Sequence, residues 1–197
     1  MKKRILNCFT VLTVLFSVLL SIRYISVYAD VPSYITCWAL NAGYVPQQKT
    51  CWCWAASAEN ACIAENHHSY NQYYAVQILK GSIDNQYPNV SGTIIDVANA
   101  VGVISSGYLN YTYGWDLSYN IIAEKIYNSH PVVAGIFPMF GNGHYVLIKE
   151  WNNSTGNRLI TYYDPEQPGQ YHTCTYDSFW DGSYYYGYRY LTSAYYN

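Results

Sequence analysis

The chain has 197 residues with 10 Lys or Arg, 12 Asp or Glu and a formal net charge of −2 at pH 7. Four of the ten basic residues lie within the first 23 positions, so the remaining chain is more acidic than the whole. An acidic chain without a basic cluster excludes nucleic-acid binding through the phosphate backbone. The length remaining after position 29 suits one domain with a full hydrophobic core.

The beginning of the chain has the pattern of a secretory signal peptide. Three basic residues follow the initial Met, an apolar run occupies 11–20, and Val27 and Ala29 supply a cleavage site of small residues. The apolar run is short for a membrane span, although an uncleaved anchor is the alternative. We therefore expect residues 1–29 to be a signal peptide and 30–197 to be a single secreted, extracellular domain. After cleavage we expect no stable association with the membrane.

The cysteine count predicts one free thiol in the exported chain. Removal of the signal leaves Cys37, Cys51, Cys53, Cys62 and Cys174. An odd number in an exported protein suggests one reactive thiol and up to two disulfides, and the three possible pairings of the other four stay open. The chain has no Cys-x-x-Cys and no histidine pair at ligand spacing, so no metal site is expected.

Helices are predicted in the first half of the domain. The alanine-rich run 53–66 lacks Gly and Pro and predicts the first helix. A second helix is predicted over 71–80, ended by Gly81. Thr93 can cap a third that ends at Gly102, and Asp116 or Ser118 can cap a fourth.

Strands are predicted in the second half, over 132–137, 144–151, 158–163 and 171–176, with a turn at 152–157. A last strand has alternating tyrosines at Tyr184, Tyr186, Tyr188 and Tyr190. Helices followed by antiparallel strands predict an α+β domain, in which an N-terminal helical half packs on a C-terminal sheet half. A cleft between the two halves would be the natural place for a site.

Cys53 is the candidate nucleophile. It begins the first predicted helix, whose N-terminal partial positive charge favours a thiolate. Gln47 stands six residues earlier, whereas Cys37, which is also followed by Trp-Ala, lacks such a glutamine. The Gln47 side chain and the backbone N–H of Cys53 could together stabilise the oxyanion of an acyl transfer. A buried, inert thiol is the alternative.

His144 and Asp164 are the candidates that complete a triad. His144 follows a glycine-rich turn and begins a strand, whereas His67 and His68 lie at the far end of the helix that Cys53 begins. Asp164 follows the next strand and precedes Pro165, so an antiparallel hairpin would bring it close to His144. Structural roles, as a packed histidine and an Asp-Pro turn, are the alternatives.

These residues resemble the papain-like cysteine peptidases, whose order is Gln, Cys-Trp-Ala, Gly-His and then Asn or Asp. The stretch Val45-Pro46-Gln47-Gln48-Lys49, followed by Cys53-Trp54-Ala55-Ala56, is similar to a small bacterial group that includes papain-like effector proteases and C39-like peptidases. The resemblance implies a papain-like fold, with Cys53 as nucleophile, His144 as base, Asp164 as orienting residue and Gln47 in the oxyanion hole. Cys51 departs from the pattern, because Asn or Gly is more usual at its position.

The expected function is that of a secreted cysteine endopeptidase that acts through a Cys-His-Asp triad and an acyl-enzyme. We expect a protein or peptide substrate, no cofactor and a monomer. Two alternatives stay open at this stage. A transglutaminase or amidase could use the same triad for acyl transfer, and a non-catalytic binding module could use the tyrosine-rich C-terminus.

Overall fold

The computed structural model describes residues 31–32, 35–82, 86–115, 117–138, 143–181 and 188–196. The expected signal peptide and two of the alternating tyrosines, Tyr184 and Tyr186, lie outside these ranges. No helix within the described ranges is long and apolar enough to cross a membrane.

Five helices and seven strands make up the described chain. The helices are α1 (Cys53–Ala64), α2 (Gln72–Lys80), α3 (Ile94–Ile104), α4 (Tyr119–Tyr127) and α5 (Tyr176–Trp180). The strands are β1 (Cys37–Ala39), β2 (Tyr111–Trp115), β3 (Val132–Pro138), β4 (His144–Asn152), β5 (Leu159–Tyr163), β6 (Tyr171–Thr175) and β7 (Tyr188–Tyr196).

The strands form one antiparallel sheet in the order β2-β7-β3-β4-β5-β6. β4 is the central strand that carries His144. Its first part pairs with β3, and its last three residues, 150–152, pair with β1. Helices and an antiparallel sheet in one unit confirm the α+β class.

Helices cover both faces of the sheet. Along β4, Tyr145 and Leu147 face the core shared with α1, α2 and α3, whereas Val146 and Ile148 face the core shared with α4 and α5. This alternation follows from the two-residue period of a strand. Three of the four expected helices, α1 to α3, therefore pack on one face of the sheet, whereas the fourth, α4, lies on the other face with α5.

All four predicted helices are present, but α1 ends at Ala64 instead of residue 66, and α3 extends beyond its predicted end. The Thr93 hydroxyl accepts from the backbone N–H of Asp96, and the Asp96 carboxylate accepts from that of Thr93, which makes a capping box. The helix continues past Gly102 to the fully buried Ile104. The chain turns instead at Gly107, whose φ of +82° favours glycine and whose N–H donates to Gly102 O at 2.8 Å.

Four of the strands, β3 to β6, lie where the sequence predicts them. Tyr176, predicted to end a strand, instead begins α5, because the Thr175 hydroxyl caps that helix by accepting from the backbone N–H of Ser178 at 3.1 Å. Three elements were not predicted from the sequence, namely β1, β2 and α5.

The expected disulfides are absent, because all five cysteines in the described part of the chain are free thiols. Cys62 and Cys174 belong to the cores on opposite faces of the sheet. Cys37 begins β1, and Cys174 lies in β6. Across the sheet, the paired residues run from Trp38 through Trp151 and Ile160 to Cys174. β1 is therefore three inter-strand spacings from β6, a separation of about 14 Å. A disulfide requires Cα atoms within about 7 Å.

Gly92 provides a test of packing against the first helix. A Cβ at this position would lie 2.4 Å from the ring of Trp54, which is fully buried. We expect Gly92→Ala to lower the free energy of unfolding by about 1–3 kcal/mol, because a rigid ring must move. Gly43→Ala is the matched control, since nothing lies within 4 Å of its Cβ. Equal urea midpoints for the two variants would contradict this packing.

Candidate active site

Cys53 is the first residue of α1 and is 8% exposed. The first turn of this helix contains no acidic residue. The partial positive charge of the helix N-terminus is therefore not offset by a carboxylate on the same turn.

His144 and Asp164 form a buried pair. The His144 Nε2 atom donates to Asp164 Oδ1 at 2.7 Å, and the side chains are 16% and 2% exposed. The backbone N–H of Glu166 also donates to Asp164 Oδ1, at 2.9 Å, which fixes the carboxylate. The hairpin formed by β4 and β5 brings the two residues together, as the sequence predicts.

Cys53 also interacts with the imidazole of His144 and contributes to the raised pKa of the ring. Because Asp164 occupies Nε2, Nδ1 is the ring nitrogen that remains for another partner. Burial by itself lowers the pKa of His144, but hydrogen bonds and charge interactions with Asp164 and Cys53 outweigh it and raise the pKa to about 10. The arrangement thus favours an imidazolium beside Cys53 at neutral pH.

Gln47 is hydrogen-bonded to the segment that follows Asp164 and to the segment that precedes Cys53. Its backbone N–H donates to Pro165 O at 2.9 Å, directly after Asp164. Its side-chain Nε2 donates to Thr50 O at 3.2 Å, three residues before Cys53. One hydrogen of Nε2 is used in that bond, and the amide carries a second. The structure therefore brings all four predicted site residues into one region.

Ser57 connects α1 to β4 and was not predicted from the sequence. It lies one turn after Cys53, is fully buried, and its Oγ donates to Tyr145 O at 3.0 Å. Tyr145 follows His144 directly, so this bond fixes the helix against the strand at the level of the triad. A serine four residues after the cysteine in an alanine-rich helix was the available signal.

The segment before α1 is held by a second loop, residues 86–92. Asn89 Oδ1 accepts from the backbone N–H of Cys51 at 2.9 Å, and Asn89 Nδ2 donates to Thr50 Oγ1 at 2.9 Å. Lys49 Nζ donates to Tyr87 O at 2.6 Å. The unusual Cys51 is thus a half-buried free thiol in a loop fixed by its backbone.

The other described histidines have different partners. His68 pairs with Glu59 at 2.8 Å, and His130 pairs with Glu65 at 2.9 Å. The rings of His67 and His172 stack on Tyr108 and Tyr162, respectively. No group of three or more His, Cys, Asp or Glu in the described residues could hold a metal ion.

No protein-family model and no curated protein matches this sequence. Among solved structures, the chain is similar to UfSP from C. elegans, with a TM-score of 0.48 and 10% sequence identity. The match covers 85% of this chain and 36% of that one. The chain therefore spans about a third of the length of that solved structure.

The environment of His144 gives a pH-dependent prediction. Since its pKa is raised from 6.5 to about 10, its interactions stabilise the native state fully below pH 6.5. That stabilisation is lost as the pH rises through about 10. In an NMR titration of the ring protons, we expect the midpoint to fall in Asp164→Asn and in Cys53→Ala. A wild-type midpoint at or below 6.5 would contradict the described environment.

Proposed function

We propose that the protein is a secreted cysteine endopeptidase of the papain-like type, close to the bacterial group that includes C39-like peptidases. One observation carries the proposal. The imidazole of His144 is hydrogen-bonded through Nε2 to the buried carboxylate of Asp164 and interacts with Cys53, which stands at the start of a helix. A nucleophile, a base and an orienting acid in this order are the requirements of thiol-dependent acyl transfer.

In the proposed reaction, the proton of Cys53 is held by His144 as an imidazolium, and the thiolate attacks the carbonyl carbon of a peptide bond. The backbone N–H of Cys53 and Nε2 of Gln47 stabilise the oxyanion. The imidazolium then gives its proton to the leaving amine, and an acyl-enzyme remains. Water, deprotonated by His144, attacks the acyl-enzyme and releases the acid and the thiol. No metal or organic cofactor takes part in these steps.

Asp164 has two roles in this scheme. Its carboxylate selects the tautomer in which Nε2 carries the hydrogen, so that Nδ1 faces the thiol. Its charge also stabilises the imidazolium, which agrees with the raised pKa of His144. A proton is therefore available for the leaving amine at neutral pH.

We further propose that the substrate is a protein or peptide outside the cell and that the protein acts as a monomer. The location depends on the signal-peptide pattern of residues 1–29. Acyl transfer to an amine, as in a transglutaminase, or amide hydrolysis by an amidase would use the same residues. Incubation with a peptide library and a labelled amine separates these reactions, because hydrolysis gives new peptide termini whereas transfer incorporates the amine.

Covalent labelling tests the nucleophile and its base. We expect an epoxide thiol inhibitor to modify Cys53 stoichiometrically, as measured by mass spectrometry, and the modification to be lost in Cys53→Ala and His144→Ala. His172→Ala is the matched control, since that ring stacks on Tyr162 instead. Failure of the reduced, folded wild type to react would refute the proposal, as would labelling that persists without His144. A non-catalytic binding module would give this negative result.

Gln47→Ala tests the oxyanion hole. Loss of one oxyanion donor typically lowers kcat about 100- to 1,000-fold, and we expect a loss of this size with little change in KM. Gln48→Ala is the adjacent control, because its exposed side chain makes only a 3.4 Å contact with Pro46 O. Equal kcat values for the two variants would remove Gln47 from the mechanism.

A further inference from the structure

The buried carboxamide of Gln72 bonds to both neighbours of Gln47. Its Oε1 accepts from the backbone N–H of Gln48 at 2.9 Å, and its Nε2 donates to Pro46 O at 3.0 Å. Gln72 begins α2 and is 2% exposed. One side chain therefore fixes the main chain on each side of the proposed oxyanion donor.

Asn60 likewise bonds to one backbone N–H and one backbone carbonyl, both of them in Val45, the residue before Pro46. Its Oδ1 accepts from the backbone N–H of Val45 at 2.7 Å, and its Nδ2 donates to Val45 O at 2.9 Å. Asn60 is fully buried and lies in α1, two turns after Cys53. Two carboxamides from two helices thus hold the segment 45–48 by its backbone, in the manner of a paired strand.

Glu59 fixes the orientation of the Gln72 amide. Glu59 Oε2 accepts from Gln72 Nε2 at 3.0 Å and from the Gln72 backbone N–H at 3.1 Å. A rotated amide would place its oxygen against two acceptors, Glu59 Oε2 and Pro46 O. The other carboxylate oxygen of Glu59 bonds to His68 Nε2 at 2.8 Å. The network thus has one arrangement that satisfies its members.

An oxyanion donor contributes most when it needs no reorganisation during the reaction. Among the described residues, the side chain of Gln47 makes one hydrogen bond, to Thr50 O, and its Oε1 is buried without a hydrogen-bond partner. Its position therefore depends on the backbone that carries it, and that backbone is held by Gln72 and Asn60.

We propose that Gln72, supported by Glu59 and together with Asn60, is a positioning residue of the oxyanion hole. This inference rests on the proposed function. These side chains act through Gln47 and bond to its segment rather than to the reacting atoms. Their loss should slow those reactions of Cys53 that develop an oxyanion and should leave other reactions of the thiol unchanged.

Two reactions of the same thiol separate this role from a purely structural one. With p-nitrophenyl acetate, the thiolate forms a thioester through a tetrahedral oxyanion and p-nitrophenolate leaves. With iodoacetamide, the thiolate displaces iodide from a saturated carbon, so a thioether forms without an oxyanion. Both reactions need Cys53 and His144, but only the first needs Gln47.

The experiment compares Gln72→Met with Gln77→Met, the same substitution at an exposed position of the same helix. We expect Gln72→Met to slow acylation at least tenfold while alkylation stays within twofold of the wild-type rate. Gln77→Met should change neither rate. Unchanged acylation in Gln72→Met would overturn the inference, and so would an equal loss of both reactions, which indicates a structural role.

A second variant guards against loss of the fold. Asn60→Asp retains the acceptor for the N–H of Val45 but removes the donor to Val45 O, and we expect the same selective loss of acylation. Hydrogen exchange should show faster exchange of the Gln48 amide in Gln72→Met. If the wild type releases p-nitrophenolate no faster than Cys53→Ala does, the proposed function fails, and this inference fails with it. If the wild type releases p-nitrophenolate and Gln72→Met and Asn60→Asp release it at the wild-type rate, only the inference fails.

Discussion

The burial of α1 is the constraint on which the rest of the site depends. Every residue from Cys53 to Cys62 is buried, so the helix is enclosed by the sheet and by the other helices of its layer. Polar groups inside such a helix need partners within the protein, because an unpaired buried polar group costs about 1–3 kcal/mol. Ser57, Glu59 and Asn60 have such partners in a strand, in α2 and in the surrounding loops, and these bonds fix the site residues around the helix.

The bonds form a connected set. Ser57 holds β4 beside the helix next to His144, and the hairpin with β5 then places Asp164 at the imidazole. The segment 45–48 bonds to the middle of α1 through Asn60, and the Gln47 N–H bonds to Pro165 O, next to Asp164. The four candidate site residues therefore share one support. Their distances are set by secondary structure and not by flexible loops alone.

Local patterns predicted the parts of the fold that local energetics decides. α1, α2 and the start of α3 follow from helix formers and from caps such as Thr93 and Gly81. β1 could not be predicted, because a three-residue edge strand exists only through its pairing with residues 150–152 of β4. The prediction of disulfides was wrong for a related reason. A cysteine count carries no distances, and the sheet separates Cys62 from Cys174.

The sequence by itself determined which residues are chemically able to act: a cysteine at a helix start, a glutamine six positions before it, a histidine at a strand start and an aspartate at the next strand end. The tertiary structure alone decided which atoms meet, including His144 Nε2 with Asp164 Oδ1 and Gln72 with both neighbours of Gln47. The reason is physical. Helix and strand periodicities report neighbours within a few residues, whereas a hydrogen bond requires an approach of about 3 Å between groups that are 20 or more positions apart.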